Sequence, residues 1–295
     1  MKKLISLSLL FCVAFVFAQT SANRFFYELT FKPKKDSTKI DKVIAILDIT
    51  KDKSLYQDYT VMAQDSIIKV AVEEMQKTKS WKDLSKTIAM PKFSYKVFKA
   101  YPSMKETYVD RISRNLFGYD EDIKFNWSIQ PDKQKIGEYN VQKATTDFGG
   151  RHWIAWFSTD LPFSDGPYKF YGLPGLIVKI EDDAKNYSWV LSGNKTIKDW
   201  KEISYAEEMQ EKFGMNNSIN TISKEKFEKS FANYKKDPFA EFRGQIPQNM
   251  LSMKMPGSDI SVGQMMKEQE KRLKDFYESN NNPIEIESPA TDKKK

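Results

Sequence analysis

The chain has 295 residues, with 47 lysines and arginines against 40 aspartates and glutamates. The basic residues are scattered without an arginine-rich stripe, which gives no specific nucleic-acid signal, so no nucleic-acid partner is expected. An aromatic share of 14% beside 29% charged residues favours a folded, strand-rich protein of one large or two small domains over a disordered chain.

Residues 1–18 read as a secretory signal peptide. Lys2 and Lys3 precede the apolar run Leu4–Phe17, and Val16-Phe17-Ala18 ends on a small residue, so the mature chain is expected to start at Gln19. The run is short for a membrane span and Arg24 soon follows, so no transmembrane segment is expected after cleavage. Cys12, the only cysteine, lies inside the apolar run rather than at its end, which argues against a lipid anchor. Its removal leaves no thiol for a disulfide, a metal site or a nucleophile. The expected location is exported, periplasmic or secreted.

Phe25, Tyr27, Leu29 and Phe31 share one face of a first predicted strand, and Val43–Ile49 forms a second, apolar on both faces. Val61–Lys77 is predicted as a helix with Ile67, Ile68, Ala71, Val72 and Met75 on one face. Phe93–Lys99 and Thr107–Ile112 are weaker strands. Ile123, Phe125, Trp127 and Ile129 alternate with polar residues and read as a half-buried strand. Tyr139–Phe148 and Arg151–Ser158 flank Gly149-Gly150, a pair suited to a tight hairpin turn. A second hairpin runs from Leu176, Val178 and Ile180 through Asp183–Asn186 to Tyr187, Trp189 and Leu191. Ser223 is placed to cap a helix carrying Phe227, Phe231 and Tyr234, and Met265–Tyr277 is amphipathic.

The run Gly166-Pro167-Tyr168-Lys169-Phe170-Tyr171-Gly172-Leu173-Pro174-Gly175-Leu176-Ile177 sets three glycines and two prolines among aromatic and aliphatic residues. Such a segment encodes one loop path. Together with Tyr139, Lys143-Ala144, the Gly149-Gly150 turn, Arg151, Ala155 and Trp156, it resembles the GLPGLI family of exported Bacteroidetes proteins, whose name is spelled here by Gly172–Ile177. The resemblance covers about Gly137–Leu191 and implies envelope export but no established activity. Many members carry a cysteine where this chain has Val141, so a role for that thiol is excluded here.

The expected fold is β-rich α+β: a curved antiparallel sheet of about seven or eight strands with helix 61–77 on one face and extra C-terminal helices. The expected boundaries are a signal peptide 1–18, a β-rich domain 19–236, a Met/Pro-rich extension 237–278 with an amphipathic helix, and a disordered tail 279–295. The loop should join strand 151–158 to strand 176–183. Valine at Gly172 or Gly175 is expected to impair folding far more than alanine at Lys169.

No residue set specifies a reaction. His152 is the only histidine, and a triad needs partners that the sequence does not reveal. Asp120-Glu121-Asp122 and Glu181-Asp182-Asp183 place neighbouring acids on opposite faces or in a turn. Arg151, Trp153, Trp156, Lys169, Phe170 and Tyr171 are candidates for lining a ligand groove, against the alternative of core packing with Arg151 and Lys169 at its rim. Met250, Met253 and Met255 are the alternative metal candidates, since thioethers suit Cu(I). The favoured reading is a non-enzymatic binding or accessory protein of the cell envelope without a cofactor, its partner an envelope protein or a small apolar ligand. The alternatives are a hydrolase using carboxylate or Ser/Lys groups and a copper-binding protein.

Overall fold

The structure is a computed structural model that describes residues 20–80, 82, 84, 87–212, 216–243, 245–256 and 258–286. The signal-peptide reading of 1–18, Cys12 and residues 287–295 of the tail lie outside the described residues.

Twelve strands form one open sheet: Ala22–Phe31 (β1), Asp41–Ile49 (β2), Lys53–Asp58 (β3), Lys96–Ala100 (β4), Lys105–Ile112 (β5), Asn115–Glu121 (β6), Ser128–Ile136 (β7), Tyr139–Phe148 (β8), Arg151–Ser158 (β9), Leu176–Asp182 (β10), Tyr187–Ile197 (β11) and Asn216–Thr221 (β12). Their spatial order is β12-β6-β5-β4-β3-β2-β1-β11-β10-β9-β8-β7. All neighbours are antiparallel except β12 and β6. The β-rich class and the antiparallel sheet agree with the sequence reading. The count of seven or eight strands is corrected to twelve. The strands that were missed are short or polar. β7 carries Pro131 and is mostly exposed, and β12 is Asn-Asn-Ser-Ile-Asn-Thr; both are edge strands that need no apolar face.

Alternation in β1 buries Phe25, Tyr27, Leu29 and Phe31 as expected. Gly149 and Gly150 adopt φ of 58° and 73°, the turn geometry that joins β8 to β9. Ile123–Trp127 is corrected: its burial alternates, but it pairs with no strand until β7 begins at Ser128. Phe125 and Trp127 instead pack on the motif loop, with Phe125 5.5 Å from the Phe170 ring.

Two helices, Thr60–Ala63 (α1) and Asp65–Thr78 (α2), replace the single predicted one, broken at Gln64. Ala71 and Val72 are buried while Ile67 is 47% exposed, and α2 packs on Tyr205–Lys212 (α3) rather than filling the sheet's face. The later helices are Lys224–Lys236 (α4), Ala240–Arg243 (α5), Gln248–Leu251 (α6) and Val262–Ser279 (α7). The Ser223 hydroxyl accepts from Lys226 N–H and caps α4. Among the described residues no helix is long and apolar enough to cross a membrane.

The motif loop, residues 159–175, fills the face that was assigned to a helix. Tyr168, Phe170 and Leu173 lie in the main core. The Phe170 ring sits 4.8 Å from Trp153 on β9, and its carbonyl accepts from Lys99 on β4 at 3.3 Å. Those strands are six places apart in the sheet. A flat sheet would separate them by about 29 Å at ~4.8 Å per strand. The sheet is therefore strongly curled around the loop. Gly175 is the seam: a Cβ there would lie 2.1 Å from the Ser158 carbonyl oxygen.

The start of the expected tail is also corrected. Asn282 and Ile284 are buried, and Ile286 N–H donates to Gly149 O at 2.7 Å. The apolar content of this segment is low, but Arg151 supplies its anchorage, as described next.

Candidate functional site

Three adjacent strands present one inward face in register. Lys99, Glu106 and Glu121 stand opposite one another on β4, β5 and β6, and Val97, Tyr108 and Tyr119 form the next row. Tyr95 and Asp110 lie beyond, toward the helices. The face thus grades from charged to aromatic.

At the charged end Lys99 Nζ, fully buried, lies 2.6 Å from Asp165 Oδ1. It donates to the carbonyls of Gly166 at 2.8 Å and Tyr168 at 3.0 Å. Asp165 also accepts from Tyr101 Oη and from Gly166 N–H. Lys169, fully buried too, pairs with Glu121 and, at 2.6 Å, with Glu285. Lys224 at the start of α4 joins both carboxylates, at 2.7 and 3.2 Å. Burial opposes the charge on Lys169, but Glu285 and Glu121 more than offset it and raise its pKa. Burial likewise works to raise Glu285, yet Lys169 and Lys224 hold it below the ordinary carboxylate range.

Glu106 is the exception. It is fully buried, neither carboxyl oxygen has a hydrogen-bond partner among the described residues, and burial pushes its pKa up to about 8. Three ammonium groups (Lys99, Lys169, Lys224) face three carboxylates (Asp165, Glu121, Glu285), and burial favours the protonated form of Glu106.

At the aromatic end lies a cleft of about 570 Å³ between the sheet, α4, α7 and residues 282–286. Tyr95, Tyr108 and Tyr119 stack across its floor at 5.1 Å spacing. Phe227 of α4 meets Tyr108 edge-on at 5.6 Å. Phe231 and Ala232 of α4 and Phe276 and Tyr277 of α7 form the cover. The Tyr95 hydroxyl is buried without a hydrogen-bond partner. Asp110 is 2% exposed and accepts from Arg111 N–H at 2.7 Å. Burial drives its pKa up to about 6. A hollow of about 320 Å³ continues past Phe93, Tyr95 and Phe276.

The six residues named from sequence do not line one groove. Trp153 and Phe170 are fully buried core, and Trp156 is half-buried on the opposite face of β9 from Trp153. Tyr171 is half-buried and donates to the Ile123 carbonyl. Lys169 lies at the centre of the charged cluster rather than at a rim. Arg151 is buried and holds the C-terminal segment: it donates to Ile284 O at 2.8 Å, Asn282 Oδ1 at 3.0 Å and Pro283 O at 2.8 Å, and pairs with Asp182 at 3.0 Å. Lys169 backs the cleft through Tyr108, Tyr119 and Tyr168, whose rings lie 5.3–5.5 Å from its Nζ, and Arg151 backs it through residues 282–284 and the Tyr187 ring at 5.4 Å. Met250 and Met253 are 45% and 56% exposed in and after α6, and Met255 is half-buried beyond them. No group of three or more His, Cys, Asp or Glu suited to a metal ion occurs among the described residues. His152 is exposed and contacts Asp147 at 2.8 Å.

Sequence reasoning missed Asp110, Glu106 and Lys99. Their signal was phase: Glu106 and Asp110 fall in step with Tyr108, and Lys99 with Tyr95 and Val97, so acids and a lysine occupy inward positions.

The family described as "Protein of unknown function (Porph_ging)", a Bacteroidetes-associated family, matches residues 150–179, which span the hairpin turn, β9, the motif loop and the start of β10. No curated protein sequence matches the chain. Two solved structures of PNGF-II, in C2 and P21 space groups, are similar to it at 16% identity, with TM-scores of 0.47 and 0.45. The matches cover 71% and 72% of this chain and 32% and 33% of those chains. The chain therefore spans about a third of the length of the structures it matches.

Proposed function

We propose that the protein is an exported binding protein of the GLPGLI type, whose tyrosine-floored cleft takes a small, largely apolar molecule. The observation that carries this reading is the cleft itself. Its volume of about 570 Å³ falls within the range of small-molecule sites. Its lining is mainly aromatic, with Asp110 and the Tyr95 hydroxyl among the rings and Lys92, Glu228, Lys235 and Glu285 as further charged lining. The charged cluster beside it has a structural role, fixing the motif loop that supports the floor through Tyr168. The reading of residues 1–18 as a signal peptide supports export.

The test is titration of the mature chain with N-phenyl-1-naphthylamine, a neutral probe that brightens in apolar sites. Ala232 lies exposed on α4 at the cleft wall, so Ala232→Trp should fill the cleft without disturbing the core. Saturable binding that Ala232→Trp abolishes, while Ile67→Trp on the far helix α2 retains it, is expected. Binding unaffected by Ala232→Trp, or none at all, would refute the reading.

A further inference from the structure

We infer that the cleft selects organic cations: molecules with an amine or quaternary ammonium head and an aromatic or aliphatic body. This rests on the reading of the cleft as a ligand site and adds its charge preference.

Asp110 lines the cleft at 2% exposure. It accepts from the Arg111 backbone, and Ser94 also hydrogen-bonds to it, but no ammonium or guanidinium group forms an ion pair with it among the described residues. Of the other carboxylates on this inward surface, Asp165 has Lys99, and Glu121 and Glu285 have Lys169 and Lys224, while buried Asp58 on β3 accepts from the backbone N–H groups of Thr60, Lys92 and Phe93. Glu106 stands beside that cluster and does not line the cleft. A buried carboxylate facing a cavity is costly without a counter-ion. The cavity leaves room for one to be brought by a ligand.

The surrounding rings point the same way. The stacked rings of Tyr95, Tyr108 and Tyr119 form the floor, and electron-rich aromatic rings attract cations. The molecule already uses the device at this floor: the Lys169 ammonium lies 5.4 Å from the Tyr108 ring centre and 5.3 Å from that of Tyr119. The unpartnered Tyr95 hydroxyl offers an oxygen acceptor to an N–H donor. The nearby lysines are engaged elsewhere. Lys92 pairs with Asp41, and Lys235 lies over the Phe231 ring. Lys235 and the Arg111 guanidinium, which bonds Arg114, Asn216 and Asn217, act on Asp110 through space without an ion pair to it.

The experiment displaces bound N-phenyl-1-naphthylamine from the full mature protein with three molecules of similar shape: 2-phenylethylamine, 2-phenylethanol and phenylacetate. The amine should displace at a concentration at least about tenfold below that of the alcohol, with the acid weakest. In Asp110→Asn, which keeps the shape and the acceptor oxygen, the ratio of amine to alcohol should fall to near one. Near-ultraviolet circular dichroism checks that the variant folds. If the alcohol matches the amine in the wild type, or the ratio survives in Asp110→Asn, charge selection is overturned while the cleft remains a binding site. If the variant misfolds, the wild-type ranking alone decides. If the probe never binds, both the selection and the site fail.

Discussion

Lys169 of the motif loop and Glu285 of the C-terminal segment form a 2.6 Å ion pair with the lysine fully buried. It links the chain's most distinctive sequence to a stretch with few apolar residues, and Lys224 closes the triangle from α4. Removing the lysine would leave Glu121 and Glu285 to share the single ammonium of Lys224 in a partly dry site. Lys169→Ala should therefore destabilise by about 3–5 kcal/mol. Urea unfolding of the variant beside the wild type measures it. The expectation from sequence that Lys169→Ala is far milder than valine at Gly172 or Gly175 is put to the same test.

Gly175 and Gly172 should separate in that same assay. Gly175→Ala drives a methyl group to 2.1 Å from the Ser158 carbonyl oxygen, so the loop or β9 must shift. Gly172 has φ of 93°, but its nearest neighbour to an added Cβ is Trp127 at 3.7 Å. Alanine at 172 should cost about 1 kcal/mol of backbone strain, and alanine at 175 about 3 kcal/mol or more.

Glu106 and Asp110 set a pH dependence. Both carboxyls have folded pKa values raised by burial, to about 8 and about 6. The folded state then holds protons that the unfolded chain has released, so these groups lower stability as pH rises from the ordinary carboxylate range through those values. Glu106→Gln removes its share. Its stability relative to wild type should rise between pH 5 and 8 by at most ~1.4 kcal/mol per unit, and flatten above. Thermal melts across that range, taken as differences between the two proteins, give the slope. A difference independent of pH would contradict the assignment.

Arg151 should govern the C-terminal segment. It reaches three successive residues, Asn282, Pro283 and Ile284. Arg151→Lys offers fewer donors in the wrong geometry. It should speed amide exchange at 282–286 by about tenfold or more while the centre of β1 stays protected. Exchange mass spectrometry resolves the two regions.

The parts of this fold that were legible are those where burial is one-sided and local. β1, the β8–β9 hairpin with its glycine pair, the β10–β11 hairpin and the Ser223 cap each follow from spacing alone. Ile123–Trp127 shows the limit: alternation reports an extended backbone with one covered side, and the cover here is Phe170 rather than a ladder partner. The edge strands β7 and β12 carry no apolar face to detect. The cleft was illegible for a different reason. It is assembled from Tyr95, Tyr108, Phe227, Phe276 and Ile284, residues far apart in sequence whose meeting depends on how far the sheet curls. Asp110 looks like an ordinary strand acid until that curl places it beside the helices.

The central claim, that small molecules bind between β4–β6 and helices α4 and α7, is tested most directly by amide exchange of the chain from Gln19 onward with and without N-phenyl-1-naphthylamine. Protection is expected in residues 93–95, across α4 and from Phe276 to Ile286. Protection confined to α2 and α3, or none at a saturating probe concentration, would contradict it.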